Sequence, residues 1–129
     1  MRTLLGEFVG TMILVLIGCG TVAVAVLFGV LNLYGVALLF GGGVSVAIYA
    51  SRGLCPAHLN PAVSFAFLIH RDLNLKTFGA FVSAQMLGAL TGGAILLLIF
   101  NASIVEFEQT NGIVRGAVAV SYTHLTLPT

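Results

Sequence analysis

Hydrophobic and polar positions are not interleaved along this chain; they come in long separate blocks. No charged residue occurs from Phe8 to Leu31, from Leu33 to Ser51, or from Thr77 to Val105. A helix needs roughly 20 apolar residues to cross the ~30 Å hydrocarbon core of a bilayer. The pattern therefore predicts three spanning helices, over residues 5–29, 34–51 and 78–100. The first run is too long for a secretory signal peptide, and Glu7 sits within its first turns.

A fourth apolar run is of a different kind. Pro61 to Ile69 (PAVSFAFLI) makes a helix of only about 13 Å, half a crossing. Asn is a strong N-cap, and Pro suits the first helical turn because its missing N–H has no partner there anyway, so Asn60-Pro61 marks a helix start. His70, Arg71 and Asp72 return the chain to water. The reading is a re-entrant half-helix: the chain enters the membrane as irregular backbone through CPAHLNPAV (residues 55–63), turns at Asn60 and leaves on the side it entered.

Irregular backbone at that depth is tolerated only where protein buries it or where it lines a watery cavity, since each unpaired N–H or C=O costs several kcal/mol in lipid. A half-helix whose N-terminus points to the bilayer centre places about half a positive charge there. Cations are repelled and oxygen lone pairs attracted. The Asn60 amide can donate to a passing hydroxyl, and the residues before it, Pro56, Ala57, His58 and Leu59, read as an extended ladder of carbonyl acceptors. Donors at the centre and acceptors on the approach suit a small neutral solute that must shed its water.

Composition agrees with this picture. Hydrophobic residues make up 59% of the chain, charged residues only 7%, and mean hydropathy is +1.13. Such a chain cannot charge a water-facing surface, and a net charge of +1 leaves no footprint for nucleic acid. Arg2, Arg52, Arg71 and Lys76 share one side if the helices alternate, while residues 30–33 are uncharged. The positive-inside rule then puts the N-terminus in the cytoplasm, in a multi-pass protein of the cell membrane.

Other chemistry is weakly supported. Cys55 and His58 could offer two metal ligands, but zinc needs three or four, and no third group completes a Cys–His catalytic set. Neither a metal, a cofactor nor an enzymatic activity is expected. GCGTVA (residues 18–23) lies inside a spanning helix with no strand before it, so its small residues, like Gly41, Gly42 and Gly43, read as packing or as room beside a pore. Gln85 reads as a bond between helices and Asn101-Ala-Ser103 as a weak glycosylation pattern.

HLNPAV, GEFVGTMILVLIGCG (6–20), SAQMLGA (83–89) and FEQTNGIVRG (107–116) together resemble the first half of a major intrinsic protein, the family of aquaporins and glycerol facilitators. The last of these resembles the loop after the third helix in bacterial glycerol facilitators. The resemblance implies an all-α membrane protein with an aquaporin-like fold, of which this chain is the first of two inverted repeats: three transmembrane helices plus one re-entrant half-helix. It implies that Asn60, Pro61 and Ala62 form an NPA motif, that Glu7 is a buried acceptor supporting the re-entrant loop, that Phe40 is an aromatic wall of a selectivity constriction, and that His58 faces the pore through its carbonyl. It further implies a passive channel for glycerol, other small neutral solutes and water, lipid-embedded and homotetrameric when full length. A water-selective channel and a non-conducting membrane fragment remain the alternatives.

The chain departs from the family pattern at Cys55-Pro56, where Ser-Gly is usual, at Phe40, where bacterial glycerol facilitators commonly have Trp, and at Arg52, which is placed to narrow the vestibule. The second NPA, the constriction's arginine and three further helices do not occur in it. The resemblance covers residues 1–119 as one repeat. The final ten residues, VSYTHLTLPT (120–129), break from it and resemble a translated sequencing adapter, so they are expected to be a non-native tail in which His124 and Pro128 have no role.

Overall fold

The computed structural model describes residues 1–113 as four helices and, among the described residues, no strand. They are α1 (Arg2–Phe28), α2 (Leu33–Ser51), α3 (Pro61–Ile69) and α4 (Leu75–Asn111). The expected tail and the boundary before it lie outside the described residues.

The helix ends follow local chemistry. Gly29, in the left-handed conformation at φ 64°, closes α1, and the Asn32 side chain accepts the Gly35 N–H at 2.8 Å to open α2. α3 starts and stops where the sequence places it. α4 is longer than the apolar run that predicts it, at both ends. Asn74 caps it early, accepting from the Thr77 N–H at 2.9 Å and the Thr77 hydroxyl at 3.0 Å. The C-terminal end carries on through a polar segment until Gly112, at φ 63°, allows the left-handed turn that stops it. Residues 107–111, which the family resemblance reads as loop, are therefore helical, and α4 is about 55 Å long, well beyond the hydrocarbon.

α1 lies between α2 and α4, and α3 packs on α4. Close approaches give the directions. A Cβ built on Gly88 would collide with the Phe8 carbonyl oxygen, one on Gly92 would lie 3.0 Å from that of Met12, and one on Gly20 would lie 3.2 Å from Leu96. Position rises along both helices together, so α1 and α4 are parallel. Against α2 the order reverses, with Gly18 facing Phe40 and Gly10 facing Ser51, so these two are antiparallel. Arg2, Arg52, Arg71 and Lys76 consequently share one end of the molecule.

The packing is inverted relative to a water-soluble domain. Glu7, Thr11, Ser51, His58, Ser64 and Gln85 are buried, whereas Leu33, Tyr34, Leu38 and Leu98 are more than three-quarters exposed. An apolar exterior over a small polar core suits lipid as solvent. α1, α2 and α4 are each long and apolar enough to cross a membrane.

Candidate functional site

The segment 52–60 between α2 and α3 is folded onto α1 through one side chain. Glu7 is fully buried, and its carboxylate takes three hydrogen bonds: His58 N–H donates to Oε1 at 3.0 Å, and Leu59 N–H and Gln85 Nε2–H each donate to Oε2 at 2.8 Å. Two consecutive backbone donors converging on one carboxylate make a small anion nest. It requires unusual backbone. Ala57 and Leu59 adopt φ of 55° and 49°, left-handed values that cost about 1–3 kcal/mol each for a residue with a Cβ. The ladder expected over 56–59 is thus not extended but turned at two positions, because this is how the His58 and Leu59 N–H groups reach Glu7.

The loop also needs room. A Cβ on Gly6 would sit 2.7 Å from Cys55 Sγ, and one on Gly10 would strike Leu59 and come within 2.8 Å of the Ser51 hydroxyl. Gly6 and Gly10, one turn apart on α1, form the seat on which the loop rests. Cys55 is buried there; burial foremost, then the nearby Glu7, pushes its thiol above the ordinary value against the opposing Ala57 N–H.

Asn60 is the N-cap of α3. Its Oδ1 accepts the Ala62 N–H at 2.8 Å, which fixes the orientation of the amide and leaves Nδ2 as a donor with no partner among the described residues. Asn60 lines a cavity of about 470 Å³ together with Phe40, Ala57, His58 and Leu59. The cavity's remaining walls include Leu14 and Val44, which lie half-way along α1 and α2, so Asn60 sits at mid-height of the bundle. Pro56, Pro61 and Ala62 are exposed and do not line it. Phe40 is seated over Gly18, whose missing Cβ would lie 2.8 Å from the ring.

A second polar layer lies beneath the loop, and within it Gln85 makes the bond between helices that its sequence suggests. Ser64, fully buried one turn into α3, meets His58 Nδ1 at 3.1 Å and accepts from Gln85 Nε2 at 3.0 Å. The His58 ring stacks on Phe67, with centroids 4.4 Å apart, and meets Phe81 edge-on at 5.5 Å. Loop, α1, α3 and α4 are joined here by a single polar network. Gln85 bridges α4 to both α1 and α3. Nothing in the local sequence distinguishes Ser64 from a surface serine; only its four-residue spacing from Asn60, which puts it beneath the cap, hints at the role. Arg52 does not line the cavity, since its guanidinium lies over the Tyr49 ring at 4.3 Å. Gly43 packs against Ile17, while Gly41 and Gly42 face open space. Among the described residues no cluster of His, Cys, Asp and Glu is arranged to hold a metal.

The profile of the family described as major intrinsic protein matches residues 1–126. The chain belongs to the major intrinsic protein family. Within it, this member is similar to the glycerol uptake facilitator protein of Pseudomonas aeruginosa, at 38% identity over 88% of the chain and 41% of the relative. It is 34% identical to the glycerol uptake facilitator protein of Escherichia coli K12, again over 88% and 41%, and 33% identical to aquaporin-9 of Mus musculus over 96% and 43%. Its fold matches the X-ray structure of the aquaglyceroporin from Plasmodium falciparum with a TM-score of 0.73 and 32% identity, over 81% of this chain and 44% of the other. The major intrinsic protein chain described here thus spans about two-fifths of the length of the curated relatives it matches. It is an all-helical, multi-pass membrane protein with the aquaglyceroporin fold over the matched region.

Proposed function

We propose that this chain forms one wall of a passive, bidirectional channel for glycerol, other small neutral solutes and water. The observation that carries the reading is Asn60: an N-cap whose amide donor is left unpaired at the tip of a half-helix, at mid-height of the bundle, on a cavity of about 470 Å³. The helix terminus adds partial positive charge to that point, which disfavours cations and suits a hydroxyl or water oxygen. Phe40 and the apolar side chains of Leu14, Val44, Ile48 and Val63 line the same cavity, complementary to a carbon skeleton. The names of the glycerol uptake facilitators and the aquaglyceroporin support glycerol above water alone.

No covalent step enters this function; the residues bind, orient and release. The chain is proposed to act in the cell membrane, with its N-terminus in the cytoplasm and in homotetramers, alongside the second repeat that its relatives' lengths accommodate.

The test is flux. Proteoliposomes are prepared with the chain fused to the C-terminal half of the Escherichia coli glycerol uptake facilitator, and re-swelling in a glycerol gradient is followed by light scattering. Glycerol entry well above that of empty liposomes is expected, with at least a tenfold loss for Asn60→Asp, which puts a carboxylate where the donor stood. A folded fusion that passes water but no glycerol would favour the water-selective alternative; equal flux for Asn60→Asp would remove the assigned role of that side chain.

A further inference from the structure

The polar network beneath the loop has a direction, and the direction fixes the state of a histidine. We propose that Gln85 and Ser64 are positioning residues that lock His58 as the neutral imidazole protonated on Nε2, with Nδ1 as an acceptor.

The network is anchored at Glu7. Both of its oxygens accept, and Oε2 takes the Leu59 N–H together with a bond from the Gln85 amide. An amide oxygen turned to that site would oppose acceptor to acceptor, so the group facing Glu7 is Nε2, a donor. The same Nε2 lies 3.0 Å from Ser64 Oγ and gives its second hydrogen there. Ser64 is therefore an acceptor toward Gln85, and its own proton must go elsewhere.

Three destinations are available and two are unused. In a helix, a serine or threonine hydroxyl commonly returns its proton to the carbonyl four residues earlier. Thr11, Thr21, Ser45, Ser51, Ser83, Thr91 and Thr110 all do so here, whereas Ser64 makes no such bond, and the Asn60 carbonyl it would use takes only the Ser64 N–H. The second candidate is Gln85 Oε1, which is buried without any partner among the described residues. What remains is His58 Nδ1, at 3.1 Å. An imidazolium has no acceptor nitrogen, so a ring that accepts at Nδ1 is neutral and carries its hydrogen on Nε2.

The consequence is mechanical as well as chemical. His58 is gripped twice, by its N–H through Glu7 and by its ring through Ser64, while Phe67 and Phe81 hold the ring's face and edge. The residue two positions before Asn60 is thereby tied to α1, α3 and α4 at once, and its Nδ1 is committed to Ser64.

The state of the ring is read directly by ¹⁵N NMR. The whole chain, with ¹⁵N-labelled histidine and with His70→Gln and His124→Gln so that one ring reports, is measured in bicelles. The expected spectrum shows an unprotonated Nδ1 with the shielding of a nitrogen that accepts a hydrogen bond, and a protonated Nε2. In Ser64→Ala the Nδ1 resonance is expected to move further downfield as the accepted bond is lost. A proton on Nδ1, or a doubly protonated ring, in the otherwise unaltered protein at neutral pH overturns the proposal without recourse to a variant; so does an unmoved Nδ1 resonance in a folded Ser64→Ala. The measurement involves no solute, so its failure and a failure of the channel reading are separable.

Discussion

Glu7 is the residue on which the re-entrant loop depends. Three donors from two other segments end on its carboxylate, and two of them are backbone N–H groups that the left-handed turns at Ala57 and Leu59 aim inward. Glu7→Gln keeps the shape but replaces one acceptor oxygen with a donor, leaving at least one buried N–H opposed. Hydrogen bonds to charged groups contribute about 1.5–3 kcal/mol, and an unpaired buried donor costs a similar amount. Glu7→Gln is therefore expected to lower stability by about 3 kcal/mol, measured as a shift in the SDS-induced unfolding midpoint in mixed micelles; a shift indistinguishable from zero would mean that the loop is held by other contacts. Cys55 tests the same seat from the other side. Burial raises its thiol, so less thiolate is present at neutral pH, and access is poor as well. Maleimide is expected to modify Cys55 in the folded Cys19→Ala chain at least about tenfold more slowly than in the SDS-unfolded chain. Equal rates would place the thiol at the surface.

At the scale of elements, what the sequence reveals depends on how local the cause is. Asn60-Pro61 declares the start of α3 because an N-cap and a first-turn proline act within two residues. The ends of α4 are missed for a different reason: apolarity reports membrane thickness, whereas the helix continues as far as caps permit, and Asn74 and Gly112 set those. The buried acid is conspicuous in an apolar run and Gln85 reads as a bond between helices, but its partners, Ser64 and Glu7 at separations of 21 and 78 residues, are fixed only when three helices meet. Glycines pose the same problem. Gly88 and Gly93 look alike in the sequence, yet a Cβ on Gly88 collides with the Phe8 carbonyl while one on Gly93 meets nothing within 4 Å. Backbone cannot yield as a side-chain tip can, so Gly88→Ala is expected to destabilise the α1–α4 contact by about 1–3 kcal/mol. Gly93→Ala should be neutral or stabilising by up to about 1 kcal/mol, through helix propensity. Thermal unfolding in detergent compares the two; equal effects would contradict the close crossing.

For the whole molecule, the polar interior and apolar exterior leave its direction in the membrane to the charges at its two ends. Parallel α1 and α4 with antiparallel α2 put Arg2, Arg52, Arg71 and Lys76 at one end, and the only described residues linking helices at the other end of α1 and α2 are the uncharged Gly29 to Asn32. Four basic residues within short segments adjoining the spans give a strong bias toward the cytoplasm. The bias also determines which way the half-helix opens, because α3 leaves the bundle at His70 and Arg71, on the basic side. Orientation is tested with single cysteines introduced into Cys19→Ala, Cys55→Ala protein in intact cells. A membrane-impermeant maleimide is expected to label Val30→Cys before lysis and Lys76→Cys only after it. The reverse pattern would invert the molecule and put the mouth of the Asn60 cavity beside the re-entrant loop on the outer face, where solute would first meet residues 57–59 instead of reaching them last.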